Sequence, residues 1–144
     1  MTYAIDTNIV IHYLRNEPNV RKRFMEIMNL GDIIVVPKIV DYEVRRGFTV
    51  QSAPAKERLY NALVGETGFC SISEMNDESW ECAEKVYAEL YQKRFTVGEL
   101  DMLIVAFCLV NDCTLVTNNT KDFANIEGLD LVTGRKANKF SVRH

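Results

Sequence analysis

The sequence predicts an α/β fold in three layers, with a central parallel sheet of four to five strands flanked by helices. Three observations carry that prediction. Short apolar runs recur at 3–5, 32–37, 69–72, 113–117 and 129–132, the second of them β-branched, and each is too short for a helix of ordinary length. Between them, apolar residues repeat at helical spacing, so crossovers join successive strands and the sheet is parallel and covered on both faces. The 144 residues, 47% hydrophobic and 26% charged, suit a single domain with one core.

The first strand, 3–5, ends on Asp6 and passes straight into a helix at 7–14, which Asp6 is suited to cap. Asn16, Glu17, Pro18 and Asn19 then break the chain. Pro18 fits the first turn of a second helix, which carries Val20, Phe24, Ile27 and Met28 to a stop near Gly31. The strand at 32–37 leads into a helix at 39–48, ending near Gly47. A break through Gln51, Ser52, Ala53 and Pro54 introduces a helix that runs to about Val64, and Gly65 and Gly68 bound the strand at 69–72. Residues 76–95 read as a long amphipathic helix with Trp80, Ala83, Val86, Tyr87, Leu90 and Tyr91 as its apolar stripe. A break at Thr96, Val97 and Gly98 precedes a helix at 99–111. The strand at 113–117 closes in Asn118, Asn119, Thr120, Lys121 and Asp122, and a helical turn at 123–126 precedes the last strand. Residues 1–132 are thus one domain and 133–144 a basic tail, holding Arg135, Lys136, Lys139 and Arg143 and no acid.

Composition narrows the function. No apolar run reaches the ~20 residues of a membrane span, and the N-terminus has no signal-peptide pattern, so the expected compartment is the cytoplasm. Cys70, Cys82, Cys108 and Cys113 form no C-x-x-C pair and only two histidines are present, a poor basis for zinc and an ordinary one for reduced thiols. A net charge of −3 argues against a protein that simply coats nucleic acid, but not against a nuclease whose acids gather a cation. No glycine fingerprint follows the first strand, and no Gly-Lys-Ser or Gly-Lys-Thr run is present, which removes dinucleotide-binding and phosphate-loop folds.

The informative residues are carboxylates in apolar company. Asp101 lies in Leu100-Asp101-Met102-Leu103-Ile104-Val105, with Val97, Ile104, Val105 and Cys108 as its helical neighbours. A carboxylate on such a face costs several kcal/mol unless it is paired or holds a cation. That helical setting also speaks against a phospho-receiver domain, whose acids gather at strand ends. Glu43 has Ile39 and Val40 on its own face and Gly47 beside it, which leaves room for a ligand; Asp41, two residues away, points elsewhere. Asp6 stands at the carboxyl end of a strand, where open α/β sheets bind ligands. Asn8, Thr117, Asn119 and Asp122 sit where they can reach the same cleft. An all-oxygen set of this kind suits Mg²⁺ or Mn²⁺. Arg15, Arg45 and Arg46 are candidate phosphate contacts.

The order Ile5-Asp6-Thr7-Asn8, then Glu43, then Asp101 with Ile104-Val105-Ala106, then Leu115-Val116-Thr117-Asn118-Asn119-Thr120-Lys121-Asp122-Phe123 resembles the PIN-domain family. Within it, the chain most resembles the ribonuclease toxins of VapBC toxin–antitoxin modules, and the likeness spans roughly residues 3–132. The resemblance implies Mg²⁺-dependent cleavage of RNA, often tRNA or rRNA, with Mn²⁺ as a substitute. It makes Asp6 and Asp101 the metal ligands and Glu43 the acid between them. Many family members have Asp where this chain has Asn119, while toxins with a Thr-Asn-Asn pattern often carry an acid at the position of Asp122. This departure bears on whether a second metal is held. A VapB-like antitoxin, whose segment occupies the acidic cleft, and a homodimer are also implied. Exposed aromatics such as Tyr42, Phe48, Tyr60 and Phe69 are candidates for a partner groove.

His12 and His144 do not by themselves form the acid–base pair of a metal-free ribonuclease, and His12 reads as a satisfied histidine of the core or a groove. The expected reaction is therefore attack by water, leaving 5′-phosphate and 3′-hydroxyl ends. A PIN-like module that binds RNA or protein without cutting is the alternative, and metal titration separates the two.

Overall fold

The computed structural model describes residues 1–65 and 68–134, together with the backbone of residues 139–141. The elements follow as β1 (Thr2–Ile5), α1 (Thr7–Leu14), α2 (Pro18–Asn29), β2 (Ile33–Pro37), α3 (Lys38–Val50), α4 (Pro54–Val64) and β3 (Cys70–Ser73). The second half holds α5 (Asp77–Gln92), α6 (Glu99–Asn111), β4 (Thr114–Val116), α7 (Thr120–Phe123), β5 (Asp130–Val132) and β6 (Lys139–Ser141). One sheet has the order β3-β2-β1-β4-β5-β6, parallel except for β6, which pairs antiparallel with β5. The parallel five-strand sheet between helices is the α/β fold expected from the sequence. β6 is a strand the sequence reading left out; three residues, Lys-Phe-Ser, inside a basic run carry no periodicity that marks them.

The strand order explains where a site can form. From β1 the chain winds outward through β2 to β3, then returns through α5 and α6 to lay β4 on the other side of β1. Strand order therefore reverses between β1 and β4, and crevices in such sheets open at the carboxyl ends of the strands at that point. Ile5 pairs with Val116, so the next residues, Asp6 and Thr117, emerge side by side.

The centre of the sheet is apolar, with Ala4, Ile5, Val36, Leu115, Val116 and Leu131 fully buried. Several helix ends differ from expectation for local reasons. Helix α3 passes through Gly47 to Val50, because Thr49 returns its hydroxyl to the Arg45 carbonyl and the chain breaks only at the approach to Pro54. Helix α5 starts one residue later than expected because Asn76 is its cap, accepting from the Ser79 amide at 2.9 Å, and it ends early where Arg94 turns left-handed at φ 59°. The helical turn α7 lies earlier than expected. The α5 stripe is also rotated from expectation: Ser79, Ala83, Val86 and Leu90 face inward, while Trp80, Tyr87 and Tyr91 are exposed. Among the described residues no helix is long and apolar enough to cross a membrane.

Asp41 is buried on the side of α3 away from Glu43. It accepts from the Tyr60 hydroxyl at 2.7 Å, Arg45 Nε at 2.9 Å and Lys38 Nζ at 3.2 Å. Burial pushes this carboxyl up, but Tyr60, Lys38 and Arg45 outweigh it and hold the group below the usual carboxylate range. The cluster fixes α3 against α4, with Arg45 reaching Asn61 at 3.1 Å. Tyr60→Phe is expected to destabilise the protein by about 1–2 kcal/mol, since one of the hydrogen bonds satisfying a buried charge is lost. Urea unfolding of the two proteins checks this, and equal midpoints would refute it. Tyr60 is completely buried, so of the four aromatics considered for a surface groove it belongs to the core, while Tyr42 and Phe69 are exposed.

Candidate active site

Asp6 is the pivot. It is almost fully buried, at 5% exposure, yet both its oxygens have partners. Oδ1 accepts from the Ile9 amide at 3.0 Å, which caps α1, and Oδ2 accepts from the Thr117 hydroxyl. Capping and site membership, two readings of Asp6 open in the sequence, therefore coexist. Burial raises its pKa to about 6, against the lowering effect of the Thr117 and Ile9 hydrogen bonds; the charges of Asp101 and Glu43 add to the rise.

Asp101 lies in the first turn of α6, half-buried, and has no ion-pair partner among the described residues. Its carboxyl is also pushed up, by burial first and then by the charges of Glu43 and Asp122. Glu43 comes from α3 and accepts from the Thr7 hydroxyl at 2.8 Å, while Arg46 stands 3.7 Å from its other oxygen. These groups meet in one groove of about 300 Å³, lined by Asp6, Thr7, Asn8, Ile11, Glu43, Arg46 and Asp101. Four elements thus supply one acidic cleft at the switch point of the sheet.

The remaining predicted residues divide. Thr117 joins Asp6 directly. The Asn119 amide donates to Thr117 Oγ1 at 3.0 Å, and its side chain reaches Asp122 at 2.6 Å, so the two are linked to Asp6 through Thr117 without lining the groove, and the Asp122 charge is still felt at Asp101. Arg46 is in the groove and Arg15 lines a neighbouring depression. Arg45 is not brought to the cleft: Asp41 and Asn61 hold it on the other side of α3. Thr7 is a site residue that sequence reasoning missed; its position directly after Asp6 was the available signal. His12 is half-buried and paired with Glu17 at 2.5 Å, as a satisfied histidine.

The donor set tests whether Mg²⁺ or Mn²⁺ fits. Asp6, Glu43 and Asp101 offer carboxylate oxygens and no nitrogen or sulfur, the chemistry a hard cation selects. Two carboxyl pKa values in one groove are raised, by burial first and by the neighbouring carboxylates after it, and Arg46 is the one basic side chain in its lining. Among the described residues no three acid, histidine or cysteine side chains close into a ready-made cage. An open acidic groove suits Mg²⁺, which dehydrates reluctantly and keeps several waters.

Comparison with known proteins gives the family of the fold. The PIN domain family model matches residues 3–129. The chain is 31% identical over 134 residues to Ribonuclease VapC2 of Rickettsia felis, covering 91% of this chain and 96% of that one. It is 30% identical over 134 residues to the tRNA(fMet)-specific endonuclease VapC of Salmonella typhimurium, covering 90% and 95%. Among solved structures, VapBC-1 of nontypeable Haemophilus influenzae superposes with a TM-score of 0.80 at 25% identity, over 94% of this chain and 100% of that one. VapBC2 of Rickettsia felis, bound to a DNA fragment from its promoter, gives 0.80 at 24%, over 92% and 98%. The chain belongs to the PIN-domain family, as a VapC-like member.

Proposed function

We propose that this chain is a Mg²⁺- or Mn²⁺-dependent endoribonuclease, the toxin of a cytoplasmic toxin–antitoxin pair, acting on RNA such as tRNA or rRNA. The observation that carries the reading is the meeting of Asp6, Glu43 and Asp101 in one groove beside Arg46. The relatives named ribonucleases and a tRNA endonuclease support it, as do neighbours solved as VapBC complexes.

Asp6 and Asp101 are the residues to hold the cation, which when bound supplies positive charge against the phosphoryl oxygens and acidifies water. Glu43, oriented by Thr7, holds the attacking water and takes its proton. Arg46 faces the phosphate. Water adds to phosphorus as the bond to the 3′-oxygen breaks, leaving 5′-phosphate and 3′-hydroxyl ends. A VapB-like partner entering the acidic cleft silences the enzyme, and the chain works as a homodimer.

The test is cleavage of purified tRNA and rRNA with Mn²⁺ or EDTA, followed by analysis of the ends. Metal-dependent products with 5′-phosphates are expected. Ends carrying 2′,3′-cyclic phosphate, or cutting unaffected by EDTA, would contradict the mechanism.

A further inference from the structure

The acidic groove does not stop at Glu43. A second depression of about 270 Å³ opens beside it, and the two share Ile11 and Glu43. Its apolar surface comes from Leu14, Val44 and the half-buried Phe48, and its edge carries the exposed cations Arg15 and Lys56. Neither cation has an ion-pair partner among the described residues. The Phe48 ring lies 6.1 Å from that of Tyr60, which Asp41 holds in place, so the aromatic wall is braced from behind.

Gly47 also lines this depression. A glycine inside a helix lowers its stability relative to alanine, yet a Cβ at this position would meet nothing within 4 Å. Packing does not require the glycine here. What it leaves is open space over α3, continuous with the acidic cleft.

We propose that this depression is a subsite for the nucleotide adjoining the scissile phosphate of a single RNA strand. The base lies against Phe48 and Val44, and its phosphate lies between Arg15 and Lys56. The inference rests on the ribonuclease reading and assigns residues that would set its sequence preference. Charge selects the occupant: three carboxylates and a net charge of −3 repel a polyanion, so a strand threading the cleft needs cations alongside. An aromatic wall next to a cationic rim is the combination that holds base and backbone of a single strand.

The test is binding of a fluorescein-labelled random-sequence RNA of about 12 nucleotides to the full chain in EDTA, read by anisotropy, beside cleavage of the same RNA with Mn²⁺. Gly47→Phe places a ring beside the depression from a position whose added Cβ meets nothing within 4 Å, and is expected to keep Tm while weakening RNA binding about tenfold or more. Lys56→Ala is expected to weaken binding at low salt and to reduce the salt slope by about one. Weakened binding and weakened cutting in both variants, beside wild-type protein that binds and cuts, support the subsite; wild-type protein that binds but never cuts overturns the nuclease reading and, with it, the assignment to a scissile phosphate. Undiminished binding and cutting in both variants overturns the subsite and leaves the nuclease reading intact. Wild-type protein that fails to bind RNA overturns it as well.

Discussion

Asp101→Asn is expected to abolish RNA cleavage and, in the same protein, to raise the melting temperature in the absence of metal. The two effects have one origin. Asp101 is half-buried near Glu43 and Asp122, and its raised pKa records that its charge is unfavourable there. Removing the charge relieves the metal-free fold, by roughly 2–5 °C in Tm. The same charge is what a cation needs. Groups that merely orient metal ligands cost 10–100-fold when mutated, so loss of a ligand should cost at least about 100-fold in cleavage. Scanning calorimetry in EDTA and single-turnover cleavage of tRNA check the pair of effects. A variant that is less stable and still active would show that Asp101 is a structural acid.

Asp6 supplies the pH dependence. Its folded pKa is about 6 against an ordinary 3.8, so the folded state binds more protons than the unfolded state between those values. The group therefore favours folding at pH below about 4, and that advantage is lost as pH rises through 6. The full swing is on the order of 3 kcal/mol. Asp41 acts in the opposite sense, because its pKa is lowered, so the total stability of the wild type does not isolate either group. The difference between Asp6→Asn and wild type does. In EDTA the variant should gain relative stability as pH rises from 4 to 6 and then level off, since Asn can still accept from the Ile9 amide. A difference that stays flat across this range, in parallel urea titrations, would mean the Asp6 pKa is unshifted.

Much of this was legible in the residues themselves. Asp101 was conspicuous because Ile104, Val105 and Cys108 surround its face, and among the described residues it has no ion pair. Asp6 could be located because a short apolar strand delivers it to a helix start. The exposed half of α5 was not legible: Trp80, Tyr87 and Tyr91 satisfy a helical period as well as the inward set does, and only packing against α6 chooses between them. The position of Arg45 was available in principle, since Asp41 lies one helical turn before it at salt-bridge spacing. The bond from Thr7 to Glu43 joins residues 36 apart in sequence, so only the fold could reveal it.

The most direct test of the acidic cleft as a cation site is calorimetric titration of Mn²⁺ into the wild type and Asp101→Asn at pH 6, in buffers of different ionisation enthalpy. Saturable binding with proton release is predicted for the wild type, because Asp6 is partly protonated there and must ionise to take the metal. Asp101→Asn should bind far more weakly. A folded wild type that takes up no Mn²⁺, or a variant that binds it equally well, would contradict the cation site on which the proposed chemistry depends.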